Sequence, residues 1–246
     1  MKSWFISDLH LKSLNERNGN ILLRFLFSII NKENTATHLF LLGDIFDFWV
    51  GDHEIYKLKF KALVEALLQI KKMGIEIVYI EGNHDVHVAE FWKKNGILTF
   101  VEDQYYKLGP WSVRVSHGDL INPDDKAYLQ YRHFIRQPIM QKVAQLIPAK
   151  QLMAIGEWAS RTSRKKSKVR RQNESEKLKQ MIHQYAQVCY SEKAFDFLIS
   201  GHMHIKDEWS ALQDGKKFTS INLGSWFEQP AALWLDDKGT GWLELA

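Results

Sequence analysis

The sequence predicts an α/β fold, and three observations carry that prediction. Short apolar runs (Trp4-Phe5-Ile6, Leu39 to Leu42, Ile75 to Ile80) alternate with segments whose apolar residues recur at helical spacing. Such alternation builds layers of sheet and helix. Hairpin-like strands follow Gln104, and strands return after Phe195, on either side of a long helical stretch. The strand runs also end in clusters of carboxylate, amide and imidazole side chains. In open α/β sheets, that carboxyl end is where chemistry sits.

The elements follow in order. Trp4 to Ser7 reads as a buried strand ending in Asp8-Leu9-His10. Asn20 to Ile30 carries Ile21, Leu22, Phe25, Leu26 and Ile29 on one helical face. Leu39 to Leu42 is the second strand, with Gly43-Asp44-Ile45-Phe46-Asp47 at its end. Lys57 to Met73 is predicted as one amphipathic helix, stopped by Gly74. Ile75 to Ile80 leads into Glu81-Gly82-Asn83-His84-Asp85, and a helix is expected over Val86 to Lys94. Gln104 to Leu108 and Ser112 to Ser116 flank Gly109-Pro110 as a hairpin that ends in His117-Gly118-Asp119. Asn122 to about Tyr190 is helical in pattern. It comprises two short amphipathic helices around Pro148, a basic run, and a polar helix from about Asn173. Phe195 to Ile199 precedes Gly201-His202-Met203-His204, and Phe218 to Leu223 precedes Gly224-Ser225-Trp226. Ala231 to Leu235 and Gly241 to Leu245 close the chain as a hairpin. The expected organisation is one α/β domain over 1–246, with a helical insertion at about 122–190.

Composition bounds the function classes. Of 246 residues, 45% are hydrophobic and 25% charged, which suits a chain that buries a sizeable core. Cys189 is the only cysteine, so no intrachain disulfide staples the fold, and a reducing compartment is the expectation. The run Trp4-Phe5-Ile6 is cut by Asp8, too short for a signal-peptide core, and no run approaches the ~18 apolar residues of a spanning helix. A soluble protein, or one resting on a membrane, is expected. The net charge is +4, yet Arg161, Arg164, Lys165, Lys166, Lys168, Arg170 and Arg171 alone contribute seven positive charges, leaving −3 for the rest. The basic character is one local patch, suited to nucleic acid, anionic lipid or a phosphorylated substrate.

Five fragments share one design: Asp8-Leu9-His10, Gly43-Asp44, Gly82-Asn83-His84-Asp85, His117-Gly118-Asp119 and Gly201-His202-Met203-His204. Read as extended segments, Asp-x-His and His-x-His would aim residues i and i+2 to one side. The donors Asp8, His10, Asp44, Asn83, His117, His202 and His204 are too many for one tetrahedral zinc. They suit two ions sharing a carboxylate. Mixed carboxylate, amide and imidazole donors fit Mn²⁺, Fe²⁺ or Zn²⁺ better than Ca²⁺ or Mg²⁺.

In this order the fragments resemble the calcineurin-like metallophosphoesterase superfamily, over almost the whole chain. The resemblance implies a β-sandwich flanked by helices, and hydrolysis by a hydroxide bridging two divalent ions, Mn²⁺ first among the candidates. It implies that Asp8, His10, Asp44 and His204 hold one ion, and Asp44, Asn83, His117 and His202 the other. His84 would stabilise the transition state or protonate the leaving group, with Asp85 orienting it.

Within that superfamily, three stretches resemble bacterial UDP-2,3-diacylglucosamine diphosphatases: Asp124 to Arg132, Leu223-Gly224-Ser225-Trp226, and Gly43 to Asp52. Those enzymes split a UDP-linked diacyl sugar into UMP and a lipid monophosphate for lipid A, under a helical lid. The resemblance makes Asp125, Tyr128 and Arg132 substrate-binding candidates. Ser163, Lys165, Lys166 and Lys168 occupy its polar and basic head-group stretch. Ile139, Met140, Val143, Leu146, Leu152, Met153, Ile155 and Trp158 are expected to line an acyl chamber, with Met153 and Trp158 as its substrate contacts. The expected partners are a UDP-linked lipid and an anionic membrane surface at the cytoplasmic face of the inner membrane. A monomer and no nucleic acid are expected. Two positions depart from that family's pattern: His84 stands where arginine is common, and Ile205-Lys206 follows the Gly-His-x-His motif. A phosphodiesterase or pyrophosphatase for nucleotides or another lipid is therefore the alternative. A nucleic-acid enzyme using the basic run, or a non-catalytic interaction module on the same fold, ranks below it.

Overall fold

The computed structural model describes the backbone of residues 1–246, and the side chains of 1–148, 151, 152, 154, 156 and 174–246. Strand β1 (Lys2–Ile6) shows how the layers arise. Its apolar residues alternate between two faces. Trp4 and Ile6 join a helix-lined core, while Phe5 joins the core between two sheets. A strand buried on both faces reads as a continuous apolar run.

Among the described residues, a six-stranded sheet runs in the order β13 (Gly239–Glu244), β12 (Ala231–Asp236), β1, β2 (His38–Leu41), β4 (Glu76–Ile80), β6 (Leu98–Phe100). The β1, β2, β4 and β6 neighbours are parallel, and β12 joins antiparallel. A five-stranded sheet runs β10 (Lys206–Gln213), β11 (Lys216–Leu223), β9 (Phe197–Ser200), β8 (Trp111–Val115), β7 (Gln104–Leu108). The sheets pack face to face through Phe5, Phe40, Val78 and Ile80 on one side and Val113, Val115, Ile199 and Ile221 on the other. Phe5 and Phe40 pair in register and stack at 4.6 Å.

Helices cover both outer faces. The helices α1 (Arg17–Ile30) and α3 (Lys61–Lys72) bury Phe25, Leu26, Leu67 and Ile70 against the first sheet. The single helix expected over Lys57 to Met73 is instead α2 (Glu54–Lys59) and α3, broken at Phe60 (φ −110°). Phe60 is wedged against Phe46 and Trp49, so aromatic packing overrides helical continuity. The helix expected over Val86 to Lys94 shortens to α4 (Ala89–Lys94). Asp85 and Val86 form β5, a two-residue strand beside β3 (Trp49–Val50).

Between β8 and β9 run α5 (Lys126–Ile135), α6 (Pro138–Leu146) and α7 (Ala149–Glu192). The last two amphipathic and polar segments read from the sequence are one element, with a non-helical residue at Glu174 (φ −131°). Its C-terminal part covers the second sheet: Ala186, Cys189 and Tyr190 pack on Leu198 and Phe218. Of the residues expected to line an acyl chamber, Met153, Ile155 and Trp158 lie outside the described side chains. Leu152 is buried against Val50, Val86 and Ala144, whereas Ile139 and Leu146 are 62% and 83% exposed. The edge strand β10, absent from the sequence reading, alternates exposed and half-buried residues and has little apolar signal.

No helix among the described residues is long and apolar enough to cross a membrane. The carboxyl ends of β1, β2 and β4 meet those of β8, β9 and β11 along one rim, and the donor-bearing loops follow there.

Candidate metal centre

Asp8 and His10 follow β1, and Asp44 follows β2. Asn83 and His84 follow β4, His117 follows β8, and His202 and His204 follow β9. Their donor atoms form two groups that share Asp44. Asp8, His10, Asp44 and His204 bring ligand-type atoms within 4.8 Å of one another, as do Asp44, His117 and His202. In the first group, His204 Nε2 lies 3.1 Å from Asp8 Oδ1 and 3.0 Å from His10 Nε2. His10 Nε2 is 3.8 Å from Asp44 Oδ2. In the second, Asn83 Oδ1 lies 2.9 Å from His202 Nδ1 and 3.3 Å from His117 Nε2, and Asp44 Oδ1 is 3.7 Å from His117 Nε2.

The donor chemistry fits divalent cations. Lone-pair atoms of imidazole, carboxylate and amide face one another at these separations, and a cation satisfies such a convergence. His117 donates Nδ1–H to the Leu42 carbonyl at 2.9 Å, which leaves Nε2 as its lone-pair atom toward the cluster. Burial and neighbouring His117 push the His202 imidazole down to about 4, so it is neutral and ligand-competent near pH 7. Burial opposes ionisation of Asp8, but His204 and Ser7 outweigh it and hold that carboxyl below its usual range.

The local backbone explains the convergence, and it corrects the alternation argument. Asp8 (φ 57°), His10 (φ 49°), Asp44 (φ 52°), His202 (φ 66°) and His204 (φ 56°) all adopt the left-handed region. The Asp-x-His and His-x-His pairs are therefore coiled turns beyond the strand ends, not extended segments. Two glycines give the donors room. A Cβ on Gly82 would lie 2.1 Å from Asp44 Oδ1, and one on Gly201 would lie 2.3 Å from Asp8 Oδ2.

Asp85 does not orient His84. Its buried carboxylate accepts the backbone N–H groups of Gly82, Asp44 and Ile45 and the Tyr79 hydroxyl. It thereby ties the Asp44 turn to the Asn83 turn. The His84 ring instead donates Nδ1–H to the Asp47 carbonyl at 2.8 Å, because β5 carries Asp85 away to the other side of the chain. His84, Asp47 and His10 also lie within ligand distance of one another.

Asp125, Tyr128 and Arg132 all have partners within the protein. Asp125 caps α5 by accepting the Tyr128 backbone N–H at 3.0 Å. The Tyr128 hydroxyl and Arg132 Nε both donate to Asp119 Oδ2, at 3.1 and 2.7 Å. Tyr128 nonetheless lies beside the donors, its ring 5.5 Å from that of His202. Met153, Trp158, Ser163, Lys165, Lys166 and Lys168 lie outside the described side chains.

Five residues went without a role in the sequence reading. Ser7 donates to Asp8 Oδ2 at 2.6 Å. Ser225 and Trp226 donate to the Asp8 carbonyl, which gives Gly-Ser-Trp a structural task. Phe227 stacks on His10 at 5.4 Å. Arg136, one turn beyond Arg132, donates to the Glu81 and Gly82 carbonyls just before Asn83. Asp119 and Asp47 were legible as motif members; Arg136 and Phe227 carried no local signal.

Comparison with known proteins agrees with this geometry. The family model for calcineurin-like phosphoesterases matches residues 1–206. The chain belongs to that family and is a metal-dependent phosphoesterase. Among curated proteins, it is 30% identical to a UDP-2,3-diacylglucosamine hydrolase of Neisseria gonorrhoeae, over 94% of this chain and 92% of that one. It is also 30% identical to a protein of the same name from Haemophilus influenzae, over 96% of both chains. Among solved structures, an archaeal phosphodiesterase aligns over the full length of both chains, with TM-score 0.49 and 14% identity.

Proposed function

We propose that this protein hydrolyses the pyrophosphate of UDP-2,3-diacylglucosamine, giving UMP and 2,3-diacylglucosamine 1-phosphate. The observation that carries the reading is the pair of donor groups sharing Asp44, in a chain that aligns end to end with hydrolases of that name. Asp8, His10, Asp44 and His204 would hold one cation, and Asp44, Asn83, His117 and His202 the other, with Mn²⁺ the first choice. Bound divalent ions supply the positive charge and activated water that phosphoryl transfer requires.

The chain's own groups do the positioning. Asp85 locks the Asp44 and Asn83 turns together, and Ser7 and the His202 backbone N–H hold the Asp8 carboxylate in one orientation. With Nδ1 committed to the Asp47 carbonyl, His84 presents Nε2 to the substrate. A proton held there goes to the leaving phosphate oxygen; held through the transition state, it stabilises equatorial charge. The Tyr128 ring lies beside His202, centroids 5.5 Å apart.

The protein works as a monomer of one domain, with the 122–190 insertion as a lid, on the cytoplasmic face of the inner membrane. Two features support the membrane location. Ile139, Val143 and Leu146 form an exposed apolar stripe on α6, at i, i+4 and i+7. From Lys126 to Arg171 the sequence carries twelve Lys or Arg and one acid, Glu157. Basic residues near an anionic surface contribute about 1 kcal/mol each.

The test is direct. The metal-stripped protein, restored with Mn²⁺, is given UDP-2,3-diacylglucosamine in detergent while UMP and lipid monophosphate are followed. Metal-dependent release of both supports the reading. Cleavage of a generic phosphodiester alone would keep the phosphoesterase and discard the lipid substrate.

A further inference from the structure

The C-terminal end of α5 is seated on the loop that carries Asn83. Arg136, the cap residue of that helix, sends Nη2 to the Glu81 carbonyl at 3.3 Å and to the Gly82 carbonyl at 3.2 Å. The same Nη2 is 3.6 Å from Asp119 Oδ2, in the turn that follows His117. Bonds also run the other way. His87 donates Nε2–H to the Ile135 carbonyl at 2.7 Å, and its backbone N–H donates to Glu81 Oε2 at 3.1 Å. Gly82 is therefore gripped from two sides. Its N–H goes to Asp85 at 2.7 Å, from the core, and its carbonyl goes to Arg136, from the insertion. That carbonyl lies in the peptide plane that enters Asn83. Asn83 Oδ1 in turn is 2.9 Å from His202 Nδ1 and 3.3 Å from His117 Nε2.

The Arg136 side chain is 10% exposed, and its Nη1 is buried without a hydrogen bond among the described residues, 3.7 Å from Glu81 Oε2. A buried donor without a partner costs stability, so the fold alone does not call for arginine here. A planar guanidinium can span two carbonyls where a point charge cannot. We propose that Arg136 is a positioning residue through which the insertion sets the affinity of the Asn83 and His117 donor group for its cation. The proposal rests on the two-cation reading and adds to it that one of the two sites answers to α5. With α5 seated, the peptide entering Asn83 is fixed and the amide oxygen faces the two imidazoles. With Arg136 removed, only the Asp85 side holds that turn. Coupling of this kind is reciprocal, so a cation held by Asn83 also favours the seated α5. Groups that orient a ligand change metal affinity by about 10–100-fold. The hydrogen bonds and ion pairs of Arg136 fall on Glu81, Gly82 and Asp119. The site formed by Asp8, His10 and His204 with Asp44 is therefore expected to keep its cation.

Arg136→Met tests this. Asp119 keeps its bonds from Arg132 and Tyr128, and Glu81 keeps those from the His87 and Ala89 backbones, so neither acid is left bare. Arg136→Lys is made beside it, because it keeps the charge and loses the fork. Mn²⁺ binding to the metal-stripped proteins is measured by calorimetry. The loaded proteins are compared by electron paramagnetic resonance, which separates a coupled ion pair from a single ion. Wild type should bind two Mn²⁺ and give the coupled spectrum. Arg136→Met should hold one ion as wild type does and bind the other about 10–100-fold more weakly. Its spectrum should be that of a single ion until Mn²⁺ is raised. Arg136→Lys should fall between the two. Turnover of bis(p-nitrophenyl) phosphate by both variants should climb back toward wild type at high Mn²⁺, which a merely misfolded protein would not do. Two ions bound at wild-type affinity by Arg136→Met, or by Arg136→Lys should the methionine variant not fold, would overturn the assignment. Equal weakening of both ions would also overturn it and mark Arg136 as structural. A wild type that takes up only one ion would sink the two-cation reading together with this role. A two-ion wild type beside two-ion variants would sink the role of Arg136 alone.

Discussion

Asp44 joins the two donor groups, and it is held from three sides. Its backbone N–H donates to Asp85, its carboxylate accepts the His84 N–H and its carbonyl accepts the His10 N–H, while its own φ is positive. Non-glycine residues in that region cost about 1–2 kcal/mol each, and five donors share it. Asp and His are among the side chains that tolerate it best. Such strain concentrates at functional sites when surrounding contacts over-determine it. Asp44→Ala and His117→Ala are each expected to abolish turnover with the circular dichroism spectrum unchanged, since neither side chain fills the sandwich core. Activity surviving in either purified protein would sink the shared-ligand assignment. Gly82→Ala probes the same point sterically. Its added carbon would sit 2.1 Å from Asp44 Oδ1. The variant should fold yet retain less than two ions per chain by elemental analysis, and a full complement would contradict it.

At the scale of the element, α5 links the insertion to the donors. Arg132 and Arg136, one turn apart, reach Asp119 and the carbonyls before Asn83. Burial would raise the Asp119 carboxyl, but His117 and Arg132 outweigh it and hold it at about 2, against an ordinary 3.8. Because the folded value is depressed, Asp119 stabilises the fold fully above about pH 4 and loses that contribution as pH falls through about 2. Asp119→Asn should therefore cost roughly 2 kcal/mol at pH 7. Its deficit should shrink between pH 4 and pH 2. Urea unfolding across that window checks it, and a deficit that does not vary with pH would count against the ion pair. The α6 helix carries a different prediction. Ile139→Ser with Leu146→Ser should reduce co-sedimentation with anionic vesicles, with little change in turnover of a small phosphodiester. Undiminished vesicle binding would assign membrane contact elsewhere.

For the whole molecule, the two sheets bring loops from distant parts of the chain onto one rim. His10 and His204 are 194 residues apart, yet their Nε2 atoms are 3.0 Å apart. Such a site is a property of the folded state alone, so ion binding adds to folding stability. At free metal 100-fold above the dissociation constant the gain is about 2.7 kcal/mol. For a chain of this size, each kcal/mol is worth about 2–4 °C. Chelation should therefore lower the melting temperature by roughly 5–10 °C, and Mn²⁺ should restore it. Unfolding indifferent to chelator would place the ions outside the folded core.

The strand runs, the flanking helices and the donor fragments were all readable in the one-dimensional pattern, because each is local. Buried strands need apolar runs, and metal donors are few in kind and cluster at strand ends. What the pattern misjudged was set by packing at a distance. Phe60 breaks a helix because Phe46 and Trp49 meet it across the core. Asp85 binds backbone N–H groups near residue 44 instead of the adjacent histidine, since a neighbour in sequence need not be a neighbour in space. β10 escaped notice because an edge strand buries little. The sequence by itself determined the layered α/β class, the kinds of donor and their order. The family resemblance already implied that Asp44 is shared; only the tertiary structure decided the distances at which the donors face each other and that five of their backbones turn left-handed. Those relations depend on the sheets' relative position, which no local stretch encodes.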